Sequence, residues 1–374
     1  MGPKVIGLDP TQKKKKKKQR GSLISSVKTG SIKLSLLIGS ISTRPEIVFC
    51  SNCSGQAVMG RWSGILKVPL FPGSRSHYKV ATSLCISTSS QKPVVPSMNA
   101  IFFNGDRVRG TGNPVIEKLS DLEAIAEIIV SKLGEDCNVW VIEASKFNGP
   151  FAVYKDFIPS VNKWGEPNSY DPTGDPACTS TVSLLSSCLK EVNNTLSSRN
   201  EESCGGEALG SCLSHPKTLL FGFSKGGTVI NQLVTELAFS DVKSNTLSSQ
   251  HETNIIIPTS KESLLNSITE IHYVDVGLNS SGAYITDQDV IERVSKRISE
   301  RALGIRFVLH GTPRQWRDSM RVWIGKEKDT MVDLLDVESR KSGGKLSFCE
   351  RFYFGDKMAN MQMHFEVIEK MDVS

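Results

Sequence analysis

The chain has 374 residues, 39% hydrophobic and 22% charged, the balance of a soluble globular protein with room for one large core or two ordinary ones. Its formal charge of +6 is lopsided: residues 1–60 hold 11 Lys and Arg against 2 acids, so residues 61–374 carry a formal −3. The basic character belongs to an appendage and gives no reason to expect nucleic acid as a partner of the body. No apolar run reaches the roughly 18 residues that span a bilayer. Nine Cys at irregular spacing form no disulfide framework and suit a reducing compartment.

Residues 1–58 read as a disordered basic tail or targeting segment. The run Lys13 to Lys18 repels itself and stays solvated, and Ser and Gly dominate after it. Three readings of this tail stand open: contact with nucleic acid or acidic membrane, a basic Ser-rich presequence, or sequence foreign to the protein ahead of a working start at Met59. Cys50 and Cys53 form a lone C-x-x-C; zinc needs a second ligand pair, so no metal is expected.

From Trp62 onward, as one domain over 59–374, short apolar runs alternate with helical periodicity. The pattern predicts a strand at 99–104, a helix at 121–133 capped by Ser120 or Asp121, and a buried strand at 138–143. A helix at 179–191, a strand at 218–223 and a helix at 227–239 follow. Then come strands at 270–276 and 305–310 around a helix at 289–302, a strand at 346–354, and a last helix starting near His364. Near-continuous apolar strands between amphipathic helices predict a mostly parallel sheet with helices on both faces. Polar stretches at 193–217 and 241–266 read as surface insertions. The aromatic segment 147–177 leaves the carboxyl end of a strand, where substrate-shaping loops sit.

Gly222-Phe223-Ser224-Lys225-Gly226 is a G-x-S-x-G with a strand leading in and a helix leading out. That context marks a nucleophile elbow, in which a tight turn exposes the Ser hydroxyl and the flanking positions must lack a Cβ. The helix N-terminus adds N–H groups and a positive dipole beside the oxygen. A phosphate-binding Walker loop is excluded because Lys225 precedes Gly226 and Gly227 instead of following the second Gly.

A Ser hydroxyl needs a base, and the fold orders the partners Ser, acid, His at strand carboxyl ends. His77 and His215 precede Ser224, His251 lies in a polar insertion, and His272 sits near its strand's start. His310 and His364 remain. With His364 as base the acid favoured is Asp318; with His310 it is Asp275. The first set, Ser224–Asp318–His364, matches the usual strand positions and is preferred. The oxyanion hole is expected from the Lys225 N–H together with Gly105 or Asp106. Asp106 is awkward there unless its carboxylate faces away and braces the loop.

The segments Phe102-Phe103-Asn104-Gly105-Asp106, Gly222 to Gly226, Asp275 with Gly277, Thr312 to Asp318, Trp323 to Glu327 and His364-Phe365 resemble a known family. It is the α/β-hydrolase-like group that includes a human mitochondrial protein named for an open reading frame on chromosome 2, and the plant branch is the most similar. The similarity spans about Trp62 to the C-terminus and leaves out the first 58 residues. It implies an α/β-hydrolase-like fold, a serine-hydrolase-like site at Ser224 with Asp318 and His364 as partners, and a mitochondrial location, the cytoplasm being the alternative.

The expectation is a serine hydrolase acting on an ester, thioester or lipid-like acyl substrate, with no metal and no cofactor. The rival is a non-catalytic hydrolase fold that binds a protein partner in mitochondrial metabolism, using the aromatic segment as its docking surface.

Overall fold

The computed structural model describes residues 47–49, 59–198, 216–240 and 255–374. The lysine run, Cys50 and Cys53, and most of both polar insertions lie outside them. Of the expected tail, only β1 (Ile47–Phe49) is described, and it pairs antiparallel with β2 (Met59–Pro69). The chain continues through β3 (His77–Ser87), β4 (Met98–Phe103), α1 (Pro114–Leu119), α2 (Leu122–Leu133) and β5 (Cys137–Glu143). A hairpin of β6 (Lys146–Asn148) and β7 (Phe151–Val153) precedes α3 (Pro176–Ser197). Then come β8 (Lys217–Phe223), α4 (Gly227–Phe239), α5 (Lys261–Ser267), β9 (Ile268–Val274), α6 (Gln288–Ser299) and β10 (Ile305–Gly311). The short α7 (Pro313–Trp316), α8 (Val322–Lys341), β11 (Leu346–Phe352) and α9 (Met361–Lys370) complete it.

One sheet runs β1-β2-β3-β5-β4-β8-β9-β10-β11. β2 and β3 are antiparallel to their neighbours, and every pair from β5 to β11 is parallel. This bears out the expected mostly parallel sheet with helices on both faces. Every residue of β5 is buried, as a parallel strand covered on both faces requires. The larger core cluster packs α3, α4, α6 and α8 on one face, around Trp140, Leu220, Ile230 and Leu309. The smaller packs α1, α2 and α9 on the other, around Phe102, Ile129, Phe221 and Phe365. No helix among the described residues is long and apolar enough to cross a membrane.

The apolar-periodic elements fall where the pattern put them, with ends moved by a few residues. The antiparallel β2 and β3 were not anticipated, because Ser, Thr and Lys break their apolar run. Nor was α8, whose 20 residues bury only Ile324, Met331, Leu335 and Glu338. Its stripe is too thin to register as amphipathic. Part of the second polar stretch folds as α5, started by a capping box of Ser260 and Ser263.

Carboxylates hold the loops that follow the strands. Asp121 caps α2 through the Glu123 and Ala124 N–H groups, both at 3.0 Å. α3 has no side-chain cap of its own; Glu236 of α4 accepts from Ala177 N at 2.8 Å and Cys178 N at 2.7 Å instead. Glu166 and Glu327 do the same for the stretch after β9, accepting from Asn279 N and from Gly282 and Ala283 N.

Candidate active site

β8 ends at Phe223 and the chain turns through a single 3-10 turn, Ser224–Gly226, into α4. Ser224 sits at φ +52, a left-handed conformation rare for a residue with a side chain. The turn is tight enough to demand its glycines. A Cβ on Gly226 would overlap the Phe103 carbonyl oxygen, and one on Gly222 would lie 2.5 Å from Ile230 Cγ1. On the facing loop, a Cβ on Gly105 would come within 2.6 Å of Ser224 Cβ and 3.2 Å of its Oγ. The loop after β4 thus runs directly against the serine.

His364 lies in the first turn of α9, its ring 4.7 Å from that of Phe223, the residue before Ser224. Its Nδ1–H donates to Asp275 Oδ2 at 2.6 Å. Asp275 follows β9 at φ +44, is fully buried, and also accepts from Thr312 N at 2.7 Å and Thr312 Oγ1 at 3.0 Å. A carboxylate only accepts, so the bond keeps a proton on Nδ1, and in the neutral ring the lone pair is then on Nε2. Among the described residues no hydrogen bond joins Ser224 Oγ to this ring.

The preferred pairing of His364 with Asp318 is therefore corrected. Asp318 lies beyond α7 and pairs with Arg314 at 3.0 Å and Arg321 at 2.9 Å. Burial alone would raise its pKa; the Met320 N–H and the two guanidiniums hold it below the usual carboxylate range. The structure gives His364 to Asp275, just after β9, while the Asp318 carboxylate is taken up by Arg314 and Arg321. His310 is corrected too: both its ring nitrogens are engaged, with His272 Nδ1 at 3.0 Å and Tyr353 Oη at 3.0 Å. Burial, then the neighbouring His272, Arg351, Lys132 and Arg306, hold its pKa far below the ordinary imidazole value. His272 is buried and stacked on Phe221 at 4.3 Å.

Of the expected oxyanion donors, Gly105 N–H is already committed to Asn104 Oδ1 at 2.9 Å. The Lys225 N–H, at the start of the 3-10 turn, and the Asp106 N–H are the two that remain. The Asp106 carboxylate faces away from the serine. It accepts from Ala152 N at 2.7 Å and pairs with the Lys225 ammonium at 3.1 Å. Burial raises its pKa against the pull of Lys225. Lys225 is only 2% exposed; its Nζ also donates to Trp164 O at 2.8 Å and lies 4.6 Å from the centre of the Phe151 ring. One ammonium so ties the elbow, the oxyanion loop and the aromatic segment together. Sequence reasoning missed Thr312 and Tyr154, whose hydroxyl donates to Asn104 O at 2.7 Å. Nothing in residue type or spacing distinguishes either from a packed core residue.

Residues 175–338 match the C2orf69 family model. The resemblance expected from the sequence is borne out. Mitochondrial protein C2orf69 of Homo sapiens is 26% identical over 317 residues, 73% of this chain and 74% of that protein. The C2orf69 homolog of Danio rerio is 25% identical over 236 residues, 63% of this chain and 60% of that protein, so less than two thirds of its length is matched. These C2orf69 relatives are named as mitochondrial, which bears out the expected location. Among solved structures, the siderophore hydrolase EstB from Aspergillus nidulans superposes with a TM-score of 0.34 at 11% identity, covering 87% of this chain and 99% of that one.

Proposed function

We propose that the protein is a serine hydrolase acting on the ester or thioester bond of an acyl substrate, with Ser224 as nucleophile, His364 as base and Asp275 as the orienting acid. The observation that carries this is the 2.6 Å bond from His364 Nδ1 to a buried carboxylate, beside a serine held at positive φ on a glycine-lined turn. Ser224 Oγ attacks the acyl carbon while His364 Nε2 takes its proton. The Lys225 and Asp106 N–H groups receive the negative charge that develops on the carbonyl oxygen. Collapse expels the alcohol or thiol, which takes the proton back from Nε2. Water, deprotonated by the same nitrogen, then releases the acid and restores Ser224. The Ser–His hydrogen bond absent from the resting geometry forms on substrate binding, as catalytic bonds commonly tighten in the complex.

That unmade bond also favours a second reading, a hydrolase fold that binds a protein partner without turning anything over. A fluorophosphonate probe separates the two. Labelling of the folded wild-type chain that disappears in Ser224→Ala is the expected result. Wild-type protein that is folded by circular dichroism yet takes no label overturns the hydrolase and leaves the scaffold.

A further inference from the structure

A cleft of about 400 Å³ opens beside the oxyanion loop and shares the wall Asn104, Gly105 and Asp106 with the candidate site. Phe365, the neighbour of His364, lines it as well. Val108 and Leu122 are its other large apolar side chains, too few to sheathe an alkyl tail. Charge dominates instead. Of its carboxylates, Asp106 is held by Lys225, and Glu143 is paired with Arg107 at 2.9 Å. Glu117 accepts from Gly112 N at 3.1 Å, and Asp121 caps α2. Arg107 is further fixed over the Phe147 ring at 3.8 Å. Lys79 and Arg109 are the lining cations that form no ion pair among the described residues; Glu123 feels the Lys79 charge from beyond pairing distance. The lining thus offers two cations outside any ion pair, Lys79 lying opposite Glu143 across β3 and β5, while Glu117 and Asp121, bonded only to backbone N–H groups, keep their charge.

We propose that this cleft takes the charged part of a small polar acyl substrate, with Lys79 and Arg109 holding its anionic group, and that a long alkyl chain is not what the site is built for. This rests on the hydrolase reading of Ser224 and narrows it: the reacting carbonyl sits on the Ser224 side of Gly105 and the anion on the other. A carboxylate or a phosphate satisfies both cations, a guanidinium by paired N–H donors and an ammonium as a point charge.

The test uses the full-length Ser224→Ala chain, so that binding is read without turnover. Titration calorimetry with 4-nitrophenyl hemisuccinate and 4-nitrophenyl octanoate is expected to give at least about tenfold tighter binding of the anionic ester. Adding Lys79→Met and Arg109→Met should erase that preference. Both positions reach solvent, so the variant keeps its fold, checked by circular dichroism. Octanoate bound as tightly, no binding of either ester, or a preference that survives the double substitution overturns the inference. Hydrolysis of the same esters by wild type is scored separately. Binding selectivity without any turnover sinks the hydrolase and spares the cleft; turnover without selectivity does the reverse.

Discussion

At the scale of single residues the choice between two carboxylates decides the chemistry. Asp275 accepts three hydrogen bonds, two of them from Thr312, so its only orientable task is to steer the imidazole. In Asp275→Asn the amide turned towards the ring would demand an acceptor at Nδ1, putting the proton on Nε2 and removing the base. We expect kcat to fall on the order of 10³–10⁴-fold at unchanged fold. Asp318→Asn breaks two ion pairs of about 0–1 kcal/mol each and should leave kcat within about tenfold. Steady-state kinetics on an activated ester checks both, and the opposite ranking would return Asp318 to the site. Of the proposed site, the Ser224 turn was legible from its flanking glycines, and chain order narrowed the base to His310 or His364. The acid was not. Two strands end near an aspartate, and only the hydrogen bond made in the folded chain tells which of them meets His364.

At the scale of elements, a directed hydrogen-bond chain stitches three parallel strands. Glu270 only accepts, so His272 Nε2 carries the proton and its Nδ1 accepts from His310 Nε2–H; His310 Nδ1 then accepts from the Tyr353 hydroxyl. The chain crosses β9 and β10 and ends just past β11. It requires both imidazoles neutral, and burial lowers the pKa of each below the ordinary 6.5. Unfolded, both rings take up protons as pH drops through that value, while the fold refuses them. The stability they contribute is complete above about pH 6.5 and is lost as pH falls towards the depressed folded values. The urea midpoint should therefore decline between about pH 6.5 and pH 5, with a flatter profile in a His272→Gln/His310→Gln variant. Equal slopes would remove the histidines from the account. Alternating charge and apolar residues made this ladder unreadable beforehand, since β9 alone reads as a strand with one stray imidazole.

At the scale of the whole molecule the parallel sheet was plain in the sequence. Strands buried on both faces must be apolar throughout, and helices between them must show one stripe. The antiparallel edge was hidden because Ser, Thr and Lys interrupt β2 and β3 even though β3 is mostly buried, and α8 because most of its surface meets solvent. The same division governs stability. The core tolerates no left-handed residue without cause, yet Ser224 is kept at φ +52. Glycine there costs no Cβ clash, so Ser224→Gly should be more stable than Ser224→Ala by about 1 kcal/mol, a melting-temperature difference of about 1–2 °C. Scanning calorimetry of the two decides it, and equal melting points would mean that the turn holds no strain. A library screened for heat tolerance alone would drift towards glycine at this position, and its hardiest clones would be the inert ones.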